Sequence, residues 1–218
     1  MVDPQLDIEP YLEAAAQKNL RVTHIFETHV QADHLSGARR LAAATGAPVF
    51  LHALAGAHFP HVALADDEAH ELGNVGIAVL HTPGHTPEGV SLVVTDRSRA
   101  PEPWFVLTGD TLFSGGVGRP DLLGDDSGTA LAAQLYDSLH GKLMKLPDHI
   151  EVYPAHFGGA ACGKGLSGKP GTTIGFERRF NPALQETSRA DFVRFVLADL
   201  PPQPPAFAEN RRRNLGLG

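Results

Sequence analysis

The stretch "ETHVQADHLSG", residues 27–37, sets His29, Gln31, Asp33 and His34 within six positions. Two imidazoles and a carboxylate so closely spaced are the donor set of a metal site. Gln31 stands where the alternation would put another histidine. Three later segments carry comparable side chains: "HTPGHT" with His85, "TGDT" with Asp110, and "YPAH" with His156. Cys162 follows six residues after His156, inside a glycine-rich stretch. The chain has twelve histidines, so their placement matters more than their number. An isolated histidine at a strand end is usually structural. Four polar or histidine-bearing loops of this kind point to one shared site along a sheet edge.

The elements that must position these loops are legible as hydrophobic pattern. Asp7 can cap a first helix, with Pro10 tolerated in its first turn and Asn19 suited to its exit. Val22, Ile25 and Phe26 form a short buried strand that ends at the His29 cluster. Residues 35–45 read as an alanine-rich helix closed by Gly46. Strands are expected at "APVFLH", "GIAVLH", "GVSLVVTD", "PWFVLTGD" and "HIEVYPAH", separated by proline and glycine turns. Between residues 127 and 146, Leu131, Leu135, Leu139 and Leu143 recur on one helical face. Residues 158–175 show no period and read as a loop. A last helix spans 189–200, "PPQPP" stops it, and the basic tail around Arg211 to Arg213 is expected to be a solvated end. Strands and helices together make a mixed α/β chain.

Size and composition set limits. At 218 residues, one domain over 1–218 is expected, with 201–218 as a proline-rich, basic tail. A composition of 42% apolar and 20% charged residues suits a globular protein. The net charge of -7 offers no basic face for nucleic acid. No stretch approaches the roughly 20 apolar residues of a membrane helix, and no signal pattern opens the chain, so a cytoplasmic location is expected. A single cysteine excludes an intramolecular disulfide.

In order and spacing, "THVQADHLSG", "HTPGHTPEGVSL", "TGDTLF" and "YPAH" resemble the metallo-β-lactamase superfamily. Within it, "GGVGRPDL", "YPAHFGGAACGK" and "TTIGFERRFNPAL" resemble the persulfide dioxygenases, including the branch often fused to rhodanese domains. The resemblance implies a four-layer αββα sandwich with the site on the rim between two sheets. It assigns His29, His85 and Asp110 to one Fe(II), two histidines and a carboxylate on one face leaving positions for substrate and O2. Gln31 then falls on a position that is not a ligand in this branch. Asp33, His34 and His156 match the second metal site of related thioester hydrolases of the hydroxyacylglutathione type, which use zinc or mixed metals. In a dioxygenase they would orient the ligands instead.

The same resemblance gives Arg119 a contact to a glutathione-like thiol carrier. Gly158 replaces an aromatic residue of some glutathione-using relatives, which leaves other low-molecular-weight persulfides open. Cys162 is either a small loop residue or an acceptor of sulfane sulfur. The implied reaction oxidises a persulfide with O2 to sulfite and thiol, with a rhodanese-type sulfurtransferase as a partner. The "VDP" element begins at residue 2, where family members have further strands. The first sheet is therefore expected to lack its first strands, and a homo-oligomer or partner to cover the exposed edge. The same feature supports a third reading, a truncated, non-catalytic binding domain.

Overall fold

The computed structural model describes residues 1–159, 162–163 and 166–217. The chain divides into two compact units: Met1–Leu64 with Pro204–Gly218, and Ala65–Gln203. In chain order the first unit contains α1 (Glu9–Gln17), β1 (Ile25–Phe26), α2 (Ala38–Thr45), β2 (Val49–His52) and β3 (Val62–Leu64). The second holds β4 (Ala69–Leu72), β5 (Val75–His81), β6 (Val90–Asp96), β7 (Phe105–Gly109), β8 (Leu112–Phe113) and β9 (Gly116–Val117). It continues with α3 (Asp125–Gly141), β10 (Glu151–Pro154), β11 (Thr172–Thr173), α4 (Ile174–Phe180) and α5 (Arg189–Leu197). The chain then returns to the first unit with α6 (Ala206–Asn214).

In the first unit β1, β2 and β3 pair in parallel in that order. Their buried residues meet α1 and α2 through Ile8, Ile25, Leu41 and Val49, and each such side chain withdrawn from water contributes about 1.5–3 kcal/mol. Asp7 accepts the Glu9 amide proton at 3.2 Å, as the capping reading expects. Helix α2 starts at Ala38, three residues later than expected. Ser36 explains the delay: its Oγ accepts the Ala38 amide proton at 3.0 Å and donates to Glu27 at 2.8 Å, holding residues 35–37 outside the helix. Gly46 closes α2 at φ 74°, a left-handed conformation that glycine adopts without a Cβ penalty.

The tail expected as a solvated end forms α6, on which Arg212 and Arg213 are exposed. Pro204 and Pro205, read as a stop, precede the new helix, for which proline's fixed φ is well suited. Phe207 is buried. Asn210 and Asn214 hydrogen-bond the His29–His34 segment, as described below.

The second unit is built on a six-stranded sheet in the order β11-β10-β7-β6-β5-β4. Only β10 and β7 pair in parallel; the other neighbours are antiparallel. Strands β5, β7 and β10 therefore run the same way and end on one edge. Leu131, Leu135, Leu139 and Leu143 are all buried, in one cluster with Val106, Ile150, Val152 and Phe192. The expected loop over 158–175 ends early, in β11 and α4, because Thr173 caps α4 by accepting the Phe176 amide proton at 3.2 Å. Residues 160–161 and 164–165 of that stretch lie outside the described residues. No helix among the described residues is long and apolar enough to cross a membrane.

Candidate metal centre

The parallel pairing of β7 and β10 decides the geometry in the second unit. Pro154 lies opposite Gly109 across a register shift, so Asp110, one residue beyond β7, and His156, two beyond β10, emerge side by side. His156 Nδ1 donates to Asp110 Oδ1 at 2.7 Å. The other oxygen, Oδ2, lies 3.4 Å from His85 Nε2. His85 Nδ1 donates to the Arg119 carbonyl oxygen at 2.8 Å. A carbonyl only accepts, so Nδ1 carries the proton and Nε2 presents a lone pair. Burial pushes the His85 pKa down, against the opposing pull of Asp110 and the Arg119 carbonyl. The neutral imidazole is the form that binds metal. Two electron-pair donors at this separation repel unless a cation lies between them, so His85 and Asp110 fit a metal ion.

Several contacts keep these loops together. Thr111 donates to Thr82 Oγ1 at 3.1 Å, and His81 Nε2 donates to the Pro87 carbonyl at 2.8 Å, closing the turn that carries His85. Gly118 passes so close that a Cβ there would lie 1.9 Å from the Asp110 carbonyl oxygen; no other residue fits without displacing Asp110. Cys162 is buried, and its carbonyl accepts the Arg119 amide proton at 3.0 Å. Ligand atoms of Asp110, His156 and Cys162 lie within 4.8 Å of one another.

Arg119 has an occupation other than the expected contact to a thiol carrier. Its guanidinium is buried, donates through Nε and Nη2 to Asp121 at 2.7 and 2.8 Å, and reaches the Pro201 carbonyl at 2.7 Å. The two-pronged fork that would suit a substrate carboxylate is spent on Asp121.

In the first unit, His29 follows β1 and is oriented by a relay. Asp3 accepts the Thr28 amide proton at 2.7 Å and the Thr28 hydroxyl proton at 2.8 Å, and Thr28 Oγ1 lies 3.0 Å from His29 Nδ1. Because the hydroxyl proton is given to a carboxylate, Oγ1 accepts from Nδ1–H, and Nε2 of His29 is left as a donor atom. Asp3 holds this position at φ 44°, an uncommon conformation for a non-glycine residue. His34 Nδ1 donates to Asp33 at 2.9 Å, with both side chains half-buried. Burial, followed by the nearby Asp3, holds the Glu27 pKa well above the usual carboxylate range, while the Ser36 hydrogen bond opposes them.

The segment from His29 to His34 is clamped by α6. Asn214 donates to the carbonyls of Gln31 and His34 at 2.8 and 2.9 Å and accepts the Ser36 amide proton at 3.0 Å. Asn210 donates to the Ala32 carbonyl at 3.0 Å. Gln31 is fully buried, and among the described residues neither its Oε1 nor its Nε2 has a hydrogen-bond partner. Leaving a buried polar group unsatisfied costs about 1–3 kcal/mol. Sequence reasoning missed the roles of Asp3, Thr28, Asn210 and Asn214. A threonine before the first histidine was visible, but no pattern linked it to residue 3, nor the following segment to residues 210 and 214.

Fold and donors together define an α/β protein with a His/Asp metal-binding set at its strand ends. The Metallo-beta-lactamase superfamily model matches residues 1–156, and the chain belongs to that superfamily. It is 30% identical to the human mitochondrial persulfide dioxygenase ETHE1 over 198 residues, 90% of this chain and 70% of the relative. The crystal structure of ETHE1 from Myxococcus xanthus superposes with a TM-score of 0.83 at 32% identity, covering all of this chain and 88% of the other. That of a metallo-beta-lactamase from Staphylococcus aureus gives a TM-score of 0.92 at 33% identity over 98% of this chain; the chain spans only 64% of the staphylococcal one. Hydroxyacylglutathione hydrolases are also among its relatives.

Proposed function

We propose that this protein is a persulfide dioxygenase whose single Fe(II) is held by His29, His85 and Asp110. The observation that carries the reading is the donor set. In the second unit His85, held neutral by burial, gives its Nδ1 proton to the Arg119 carbonyl and turns Nε2 toward Asp110, and in the first unit Thr28 engages Nδ1 of His29. Gln31, in place of a third imidazole, supports an iron site of two histidines and one carboxylate over a zinc site that needs more nitrogen. The similarity to persulfide dioxygenases over 90% of the chain supports it further.

Bound iron would supply the coordination of persulfide sulfur and O2 and the electrons that activate oxygen. The chain's own residues orient and exclude. Thr28 and Arg119 fix the ligand tautomers, and His156 aligns Asp110 through their 2.7 Å hydrogen bond. The balanced reaction is RSSH + O2 + H2O giving RSH and sulfurous acid, which ionises to sulfite. Cys162 is buried beside Asp110 and His156, and the overall reaction does not require it.

Iron analysis after anaerobic reconstitution tests the ligand set. His29→Ala, His85→Ala and Asp110→Ala are each expected to lose the metal, and full iron content in any of them contradicts the assignment. A second reading, a dinuclear thioester hydrolase, has its own support: Asp33, His34 and His156 retain the side chains a second ion would need, and hydrolases are among the relatives.

A further inference from the structure

We propose that Gln31 is a substrate-binding residue. Its side-chain amide donates to the anionic terminal sulfur of the persulfide bound beside His29, and to the oxygens placed on that sulfur. The identity of the ligand rests on the dioxygenase reading; what the structure itself gives is a fully buried side-chain amide with no hydrogen-bond partner among the described residues.

Gln31 is fully buried, and neither polar atom of its side chain has a partner among the described residues. The segment cannot relax to satisfy it. Asn214 holds the Gln31 carbonyl at 2.8 Å, Asn210 holds that of Ala32 at 3.0 Å, and Val30 is packed with Leu51 and Ala55. A methionine of similar length would fill the same space with no polar atom to satisfy. Keeping an amide there weakens the fold, and such a local deficit marks a group held ready for something that binds.

The amide's chemistry suits a sulfur substrate at this place. Its NH2 is a neutral, non-titrating donor, able to stabilise a sulfur anion or sulfur-bound oxygen. Unlike an imidazole, it does not compete for the metal.

The test compares the wild-type protein with Gln31→Met and Gln31→Leu. Metal-free Tm is expected to rise by roughly 2–6 °C in both, because the unsatisfied amide is gone. Iron content should be unchanged, while kcat/KM for oxygen uptake with glutathione persulfide falls roughly 10- to 100-fold. Gln31→Asn, which withdraws the amide by one methylene, should lose activity without gaining Tm. A lower Tm in Gln31→Met and Gln31→Leu would mean that the amide has a structural partner, and undiminished kcat/KM would mean that it touches no substrate; either overturns the proposal. Oxygen uptake by the wild type is the control. Its absence removes the dioxygenase reading and with it the substrate, whereas uptake undiminished in Gln31→Met removes only the role of Gln31.

Discussion

His85 donates its Nδ1 proton to the main-chain carbonyl of Arg119 at 2.8 Å, and Arg119 is itself fixed by a two-pronged ion pair to Asp121. Orientation of His85, a ligand in the proposed iron site, thus depends on a charge pair two residues apart in the chain. Asp121→Ala would leave the Arg119 guanidinium buried and unpaired, costing about 3–5 kcal/mol. Metal affinity should fall on the order of 10-fold as His85 loses its fixed acceptor. Urea unfolding of the metal-free protein and a chelator competition read the two effects separately; a variant unchanged in both would show that the pair is irrelevant to His85.

The same pair sets part of the acid stability. Burial alone would raise the Asp121 pKa, but the hydrogen bond and charge of Arg119 outweigh it and hold the carboxyl below its ordinary value near 3.8. The unfolded chain then binds this proton more readily than the folded one. Stability from the pair is therefore full above the ordinary value and is lost as pH falls through the depressed one. Tm measured from pH 6 down to about pH 3 should decline less steeply in Asp121→Asn than in the wild type. An equally steep decline would place the acid sensitivity elsewhere.

Strand ends and donors were readable from the sequence because both are local. Val22 to Phe26 and "HIEVYPAH" announce strands, and each runs into its histidine. The orienting hydrogen bonds were not readable, because they join residues far apart in the chain. Asp3 reaches Thr28, and Asn214 reaches Gln31 across 183 positions. Arg119 is a related case. Its motif suggested an anion-binding fork, and only the fold shows that Asp121, two residues on, already occupies it. The tail was half legible: Arg212 and Arg213 are exposed as their charge suggests, but nothing local announced that the run belongs to a helix anchored by the buried Phe207.

Asn214 makes a clear test of the clamp on the metal-binding segment. Asn214→Ala removes two donated hydrogen bonds and one accepted, for a loss of about 2 kcal/mol and roughly 4–8 °C in Tm. Amide exchange at Ser36 should accelerate. An unchanged Ser36 exchange rate would mean that the segment holds its shape without α6.

His156 separates the two functional readings. If it only orients Asp110, His156→Ala keeps its iron and loses roughly 10- to 100-fold in activity. If it binds a second ion, the same substitution removes metal in proportion. Metal analysis of this one variant beside wild type distinguishes them.

The central claim is tested most directly by an oxygen electrode, using the anaerobically iron-reconstituted chain and glutathione persulfide. A persulfide dioxygenase with this donor set holds about one iron per chain, takes up one O2 for each persulfide consumed and accumulates sulfite in step. Two zinc ions per chain, no oxygen uptake and cleavage of S-lactoylglutathione would contradict it.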